Sequence, residues 1–239
     1  MSRAAILYAP GTNCHEETVA ALDRTGIASE LVLLRDLLDG RARLNRFQAA
    51  IIPGGFSYGD HLGAGRIFAT LLVARLGEQL GEFLAAGRPL LGVCNGFQVL
   101  GEAGILPARS LGKRGMALVE NQSGRFEDRN VRLLVSRNES PWTRGLEGQI
   151  LEMPSAHGEG RALFPESRLA RVALRYADGF GNPTAHYPEN PNGTAGAVAG
   201  ITDDTGLVLG LMPHPERASL PAHGSQDGLK LFQNLARAL

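Results

Sequence analysis

The 239-residue chain has no excess charge of either sign: 24 Lys and Arg stand against 24 Asp and Glu. That balance gives bulk electrostatics nothing with which to hold nucleic acid or an anionic membrane surface. Long hydrophobic runs are missing too. Stretches such as Leu71-Leu72-Val73-Ala74 and Val208 to Met212 fall far short of the ~20 residues that cross a bilayer, so no membrane span is expected. Met1-Ser2-Arg3 leads directly into Ala4 to Tyr8, without the longer apolar core and cleavage site of a secretory signal, and the chain reads as cytoplasmic. There are only two cysteines, Cys14 and Cys94, which excludes a disulfide framework and leaves two thiols to be judged separately. Aromatic residues are sparse at 6%, yet 44% of the chain is hydrophobic and 20% charged, the balance of a packed soluble protein and not of a disordered one.

What is plentiful is glycine. The 31 glycines are about 13% of the chain, against an average near 7%, and they follow no period. Irregular glycines of this kind mark tight turns where backbone must approach closely.

The first half alternates short apolar runs with helical patterns. Ala4 to Ala9, Glu30 to Leu34 and Ala49 to Ile52 read as strands, and Glu16 to Arg24 reads as a helix stopped by Gly26. A longer helix is expected from Phe68 to Ala86, with Leu71, Leu72, Leu76, Leu80 and Phe83 on its apolar side and Gly87 ending it; Pro89 to Val93 then reads as a buried strand. Strands apolar on both faces, with helices between them, imply an α/β fold with a mostly parallel central sheet flanked by helices. From Val131 the pattern changes to closely spaced strands: Val131 to Val135, Gln149 to Met153, Ala170 to Tyr176, Ala197 to Thr202 and Leu207 to Leu211. These are expected to form an antiparallel addition to the same sheet. The turn-rich stretch from Gly181 to Gly193 is expected as an exposed loop, and Gly228 to Leu239 as a closing helix. No repeat or linker divides the chain, so residues 1–239 are read as one domain.

The most informative segment is Gly92-Val93-Cys94-Asn95-Gly96-Phe97-Gln98, a strand running into a helix with a cysteine at the corner. A nucleophile elbow needs small residues two places before and after the nucleophile, because the sharp turn brings those positions together. The helix that follows points its positive end at the sulfur, which favours the reactive thiolate. The plainer alternative is a small buried core residue at a strand-to-helix turn. Cys14, in Pro10-Gly11-Thr12-Asn13-Cys14, has no elbow, and a structural or ligand-lining role fits it better.

A thiol nucleophile needs a proton acceptor, and the chain offers six histidines. His214 stands in Met212-Pro213-His214-Pro215-Glu216-Arg217, directly after a buried strand. The prolines are expected to hold this stretch extended, so that His214 and Glu216 point to one side and the carboxylate orients the imidazole. His157, in Ser155-Ala156-His157-Gly158-Glu159-Gly160, is the main rival. A third element, Pro53-Gly54-Gly55-Phe56-Ser57-Tyr58-Gly59-Asp60, opens from a buried strand into a glycine-rich turn. No Gly-Lys-Ser/Thr completes a phosphate loop. An oxyanion hole built from the N–H groups of Gly55 and Asn95 is the better reading. Gln98, one turn into the elbow helix, is a candidate contact for substrate.

With Pro-Gly-Gly, Gly-x-Cys-x-Gly-x-Gln and His-x-Glu in this order, the chain resembles the class I, triad-type glutamine amidotransferases, a resemblance that runs over nearly its whole length. Within that family, the Gly54 to Asp60, Gly92 to Gln98, Ala156 to Gly160 and Met212 to Arg217 segments look like the branch that supplies glutaminase subunits to phosphoribosylformylglycinamidine synthases of purine biosynthesis. Asn95 supports that branch, since many relatives look to carry an aliphatic residue after the nucleophile. His61-Leu62-Gly63-Ala64-Gly65 departs from the commoner pattern, which has a cysteine near Ala64.

The resemblance implies a Cys94, His214 and Glu216 triad that releases ammonia from glutamine for a synthetase partner, with a small third subunit in the assembly. It places ATP, Mg and formylglycinamide ribonucleotide on the synthetase, and no cofactor or metal in this chain. It also implies that the loop carrying His157 is exposed and contacts the synthetase. Three other readings remain at this level: a cysteine peptidase of similar architecture, an amidotransferase subunit serving another ammonia acceptor, and a binding module that has kept the fold.

Overall fold

In the computed structural model, which describes residues 2–165 and 171–239, a nine-stranded sheet runs through both halves of the chain. The first half supplies strands β1 (Arg3–Tyr8), β2 (Ala28–Leu33), β3 (Ala49–Ile52) and β4 (Leu90–Val93), with helices α1 (His15–Asp23), α2 (Leu34–Leu38), α3 (Arg66–Ala85) and α4 (Asn95–Glu102). The second half supplies β5 (Ala117–Val119), β6 (Glu127–Val135), β7 (Ile150–His157), β8 (Arg161–Leu163), β9 (Val172–Ala177), β10 (Val198–Thr202), β11 (Val208–Leu211) and helix α5 (Leu229–Ala238). The strand order is β2-β1-β3-β4-β11-β10-β9-β6-β7, and β5 pairs with β8 in a separate two-stranded ribbon.

From β2 to β11 the neighbours are parallel, and from β11 to β7 they are antiparallel. This is the mostly parallel sheet with an antiparallel addition that the apolar patterning implies. Every residue of β3, β4, β10 and β11 is buried, because helices cover both faces at the centre of the sheet. Helix α3 begins just after Gly65, in a left-handed conformation, and is followed by Gly87, also left-handed, close to the expected limits. Helix α4 lies directly over β11. A β-carbon on Gly210 would come within 2.2 Å of Phe97 Cδ2, so this glycine makes the seat for the Phe97 ring. Burying such a ring stabilises the fold by about 1.5–3 kcal/mol, which fixes the helix that begins at Cys94.

The structure departs from the sequence expectations in the second half. Strand β6 starts at Glu127, four residues before Val131, and β7 continues past Met153 to His157. The two pair antiparallel over the added length, with Glu127 opposite His157. Cross-strand hydrogen bonding therefore extends into segments whose polar and small residues carry no strand pattern. The Gly181 to Gly193 stretch is not wholly exposed: Thr184, Asn190 and Asn192 are buried, and Asn192 Nδ2 donates to Tyr176 Oη at 3.0 Å. Of the strand expected over Ala170 to Tyr176, Ala170 lies outside the described residues, and β9 begins at Val172. No helix among the described residues is long and apolar enough to cross a membrane.

Candidate active site

Cys94 closes β4 with φ 50° and ψ −106°, a left-handed conformation that a side-chain-bearing residue seldom adopts. Such strain costs about 1–3 kcal/mol and persists only where surrounding structure enforces it. Here the enforcement is visible. Cys94 N–H donates to Leu211 O at 2.8 Å, holding the corner to β11, and Gln98 N–H returns to Cys94 O at 3.1 Å as α4 starts. The flanking glycines are required by space. A β-carbon on Gly92 would lie 2.6 Å from Gly96 O and 2.5 Å from Leu100 Cδ1, and one on Gly96 would lie 1.9 Å from Ile52 O. The elbow is present, and the crowding at Gly96 comes from strand β3 as well as from the turn itself.

His214 follows β11, the parallel neighbour of β4 in which Leu211 is registered with Val93. Both strands deliver their C-terminal residues to one edge of the sheet. The backbone of His214 is fastened to the antiparallel half by a 2.7 Å hydrogen bond from its N–H to Pro154 O on β7. Its Nδ1 lies 2.6 Å from Glu216 Oε1, and both side chains are buried. The extended path expected across both prolines is found only at His214; Pro215 to Ala218 form a 3₁₀ turn, and it is this turn that brings the carboxylate back under the ring.

Burial opposes charge on His214, but Glu216, Cys14 and Cys94 together outweigh it and hold the imidazole pKa well above its ordinary value. The Cys94 thiol donates to Ala156 O at 3.5 Å, and His214 Nε2, also buried, has no hydrogen-bond partner.

A cavity of about 110 Å³ opens over Cys94, lined by Gly55, Phe56, Asp60, Gln98, Phe126 and residues 156–159 among others. The exposed rings of Phe56 and Phe126 stand at its mouth with centroids 6.5 Å apart. Gly55 takes φ 144°, and a β-carbon there would meet Gly11 O at 2.6 Å and Asn13 N at 2.8 Å, because the loop after β1 crosses directly over it. Asn95 supplies more than a backbone N–H. Its Oδ1 accepts from Ser57 N–H at 3.1 Å, and its Nδ2 donates to Asp60 Oδ1 at 3.0 Å and Gln98 Oε1 at 2.9 Å. Gln98 then donates to Glu159 O at 2.7 Å. Gln98 thus lines the cavity, but both ends of its amide already hold protein groups, tying the glycine-rich turn to the 156–160 segment.

His157 requires a correction. The segment expected as an exposed, partner-facing loop is the end of β7, and His157 is 2% exposed on the cavity wall. Burial, with the positive field of His214, lowers its pKa to about 4. The ring is therefore neutral at ordinary pH. Asn121 Nδ2 donates to Arg125 O and His157 O, which turns Asn121 Oδ1 toward His157 Nδ1 at 3.1 Å. That acceptor fixes the proton on Nδ1 and leaves Nε2, buried and unpartnered, as the lone-pair side.

Cys14 was legible as a thiol without an elbow, but not as a neighbour of the histidine. It is buried at the start of α1, with Sγ 3.9 Å from His214 Nδ1 and 3.1 Å from Asn13 Oδ1. It packs behind the imidazole instead of lining the cavity. Burial raises the pKa of this thiol. Nothing in the residues around Cys14 signals that contact; it follows from the crossing of β1 and β11 connections at one sheet edge.

A cysteine at a strained strand-to-helix corner, backed by a buried His–Glu pair on the next parallel strand, is the arrangement of a triad-type glutamine amidotransferase. Residues 1–237 match the model of the CobB/CobQ-like glutamine amidotransferase domain, and the chain belongs to that family. Among its relatives, phosphoribosylformylglycinamidine synthase subunit PurQ of Thermus thermophilus is 42% identical, the match covering 98% of each chain. The protein of the same name from Dehalococcoides mccartyi is 40% identical over 97% of this chain and 95% of its own length. A chain in the structure of PurLQS from Thermotoga maritima superposes with a TM-score of 0.82 at 33% identity, covering 99% of this chain and 98% of that one.

Proposed function

We propose that this chain is the glutaminase subunit of a phosphoribosylformylglycinamidine synthase, a single glutamine amidotransferase domain that hydrolyses L-glutamine and hands ammonia to a synthetase subunit. The observation that carries the reading is the strained elbow at Cys94 with the His214–Glu216 pair on the adjacent parallel strand. The near-complete match to subunits named PurQ supports the choice of acceptor. The synthetase converts formylglycinamide ribonucleotide to the amidine and binds the ATP and Mg that this requires; a small third subunit joins the complex. The assembly works in the cytoplasm.

Cys94 Sγ attacks the side-chain carboxamide carbon of glutamine, and its proton passes to His214 Nε2. Glu216, accepting from Nδ1, holds the ring in the tautomer whose Nε2 is free to accept and stabilises the imidazolium that forms. The high proton affinity of His214 suits it to hold that proton until the C–N bond breaks. The negative oxygen of the tetrahedral adduct is met by the N–H groups of Gly55 and Asn95. His214 then protonates the departing nitrogen, ammonia leaves, and a γ-glutamyl thioester remains on Cys94. Water attacks the thioester with His214 again as base, giving glutamate and restoring the thiol.

Glutamine turnover is expected to be low in the isolated subunit and to rise when the synthetase binds, through conformational control of the oxyanion hole at the Gly54–Gly55 turn. The test is the reconstituted complex carrying Cys94→Ala. Amidine formation with glutamine should disappear while formation with added ammonia remains. Loss of both in a correctly assembled complex would remove Cys94 from the role of dedicated glutaminase nucleophile.

A further inference from the structure

Cys14, His214 and Glu216 present a sulfur, an imidazole nitrogen and a carboxylate oxygen that all lie within 4.8 Å of one another, and all three side chains are buried. We infer that these residues form a binding site for a thiophilic divalent cation of the zinc type, which inhibits glutamine use by capturing the triad histidine from behind. The inhibitory consequence rests on the glutaminase reading above; the binding itself does not.

The donor set is borderline-soft, with one thiol, one imidazole and one carboxylate, the chemistry that selects zinc over magnesium or calcium. Zn–S and Zn–N bonds of about 2.3 and 2.0 Å at a tetrahedral angle place sulfur and nitrogen about 3.5 Å apart. Cys14 Sγ and His214 Nδ1 stand 3.9 Å apart before any metal enters. The His214–Glu216 contact of 2.6 Å must open to about 3.3 Å for the same geometry. Glu216 has the means to do so, because its Oε2 is buried without a hydrogen-bond partner and is available as a ligand. Space beside the donors comes from Gly54. A β-carbon there would stand 2.8 Å from His214 Cε1, 3.1 Å from Cys14 Sγ and 3.4 Å from His214 Nδ1, so only a residue without a side chain leaves both donors unobstructed.

Cys94 is not part of this group; its thiol is turned to Ala156 on the cavity side of the ring. Arg217, which also acts on Cys14, limits the site's net charge: a dication, a thiolate and a carboxylate sum to zero beside it. Binding releases the Cys14 thiol proton to solvent, and the proton on His214 Nδ1 moves to Nε2. A neutral imidazole keeps one proton and one lone pair. With the lone pair on Nδ1 given to the metal, the proton must sit on Nε2, and the ring can no longer accept a proton from Cys94.

The full chain would be titrated with Co²⁺, whose thiolate ligation produces a near-ultraviolet charge-transfer band, and then with competing Zn²⁺. One equivalent should bind, the band should persist in Cys94→Ala, and it should be lost in both Cys14→Ser and Cys14→Ala. In the complex, Zn²⁺ should inhibit glutamine-dependent synthesis at least tenfold more weakly in the Cys14 variants than in the parent, each compared with its own metal-free rate, and should leave ammonia-dependent synthesis untouched. A band lost in Cys94→Ala but retained without Cys14, or no band at all, overturns the site. Binding that depends on Cys14 in a protein without glutaminase activity would leave the metal site standing and overturn the functional reading instead.

Discussion

The α-carbon of Gly96 rests against the carbonyl of Ile52, so closely that a β-carbon would stand 1.9 Å from that oxygen. The contact joins the first turn of α4 to the neighbouring strand β3, which ends at the glycine-rich turn.

Gly96→Ala isolates that contact. Alanine is the best helix former, so the backbone itself would welcome the change and any loss reports the clash. We expect destabilisation of about 2–3 kcal/mol, read as a lower urea midpoint with an unchanged slope. A midpoint equal to the parent's would mean that α4 can withdraw from β3 at no cost.

Gly54→Ala tests space at the histidine. Its β-carbon would lie 2.8 Å from His214 Cε1, close enough to force the ring from its seat between Glu216 and Cys94. Glutamine-dependent turnover should fall about 10²-fold, the scale associated with a misplacement near 1 Å, while ammonia-dependent synthesis is kept. Unchanged glutamine kinetics would remove His214 from the reaction.

Glu216→Gln keeps the shape of the pair but allows the amide to donate to Nδ1, turning the lone pair away from Nε2. Loss of about 10³-fold or more in kcat for glutamine is expected, as for comparable acid-to-amide changes in catalytic triads. The fold should be retained, as judged by co-purification with the synthetase. A loss below tenfold would argue that Glu216 is a buried structural partner only.

His157 gives the stability curve a distinctive slope. Its folded pKa of about 4 lies below the ordinary 6.5, so the unfolded chain takes up a proton that the folded one refuses between those values. Stability from this source is complete above pH 6.5, declines as pH falls toward 4, and changes no further below that. The depression of about 2.5 units corresponds to about 3 kcal/mol. His157→Gln should flatten the variant's own curve over that window, so that the wild-type minus variant difference falls as pH drops from 6.5 to 4; parallel curves from pH 7 to pH 4 would contradict the buried neutral ring.

The elbow and the His-x-Glu pair were readable because local chain geometry dictates them: Gly92, Cys94 and Gly96 occupy one sharp turn, and a single residue, Pro215, separates His214 from Glu216. The parallel half was readable because strands buried on both faces are written as unbroken apolar runs. His157 was misplaced because Pro154, Ser155 and Ala156 carry no strand signature; what makes them a strand is β6 beside them, where their partners Asn130, Arg129 and Asp128 stand 24 to 28 residues earlier. The same holds for Asn95, whose side chain is explained by Ser57 and Asp60, and for Cys14, whose neighbour is 200 positions away. Contacts between distant segments leave no periodic trace in either.

Leu211 and Val93 are registered partners in adjacent strands, and Cys94 and His214 follow them by one and three residues. The spacing between Cys94 and His214 is therefore inherited from a backbone ladder at the centre of the sheet. A slip of one position would carry His214 some 3.3 Å along the strand and turn it to the opposite face. Catalytic competence and global order are consequently one cooperative quantity: under rising denaturant, glutamine turnover and the exchange protection of the Cys94 amide would be surrendered in the same transition.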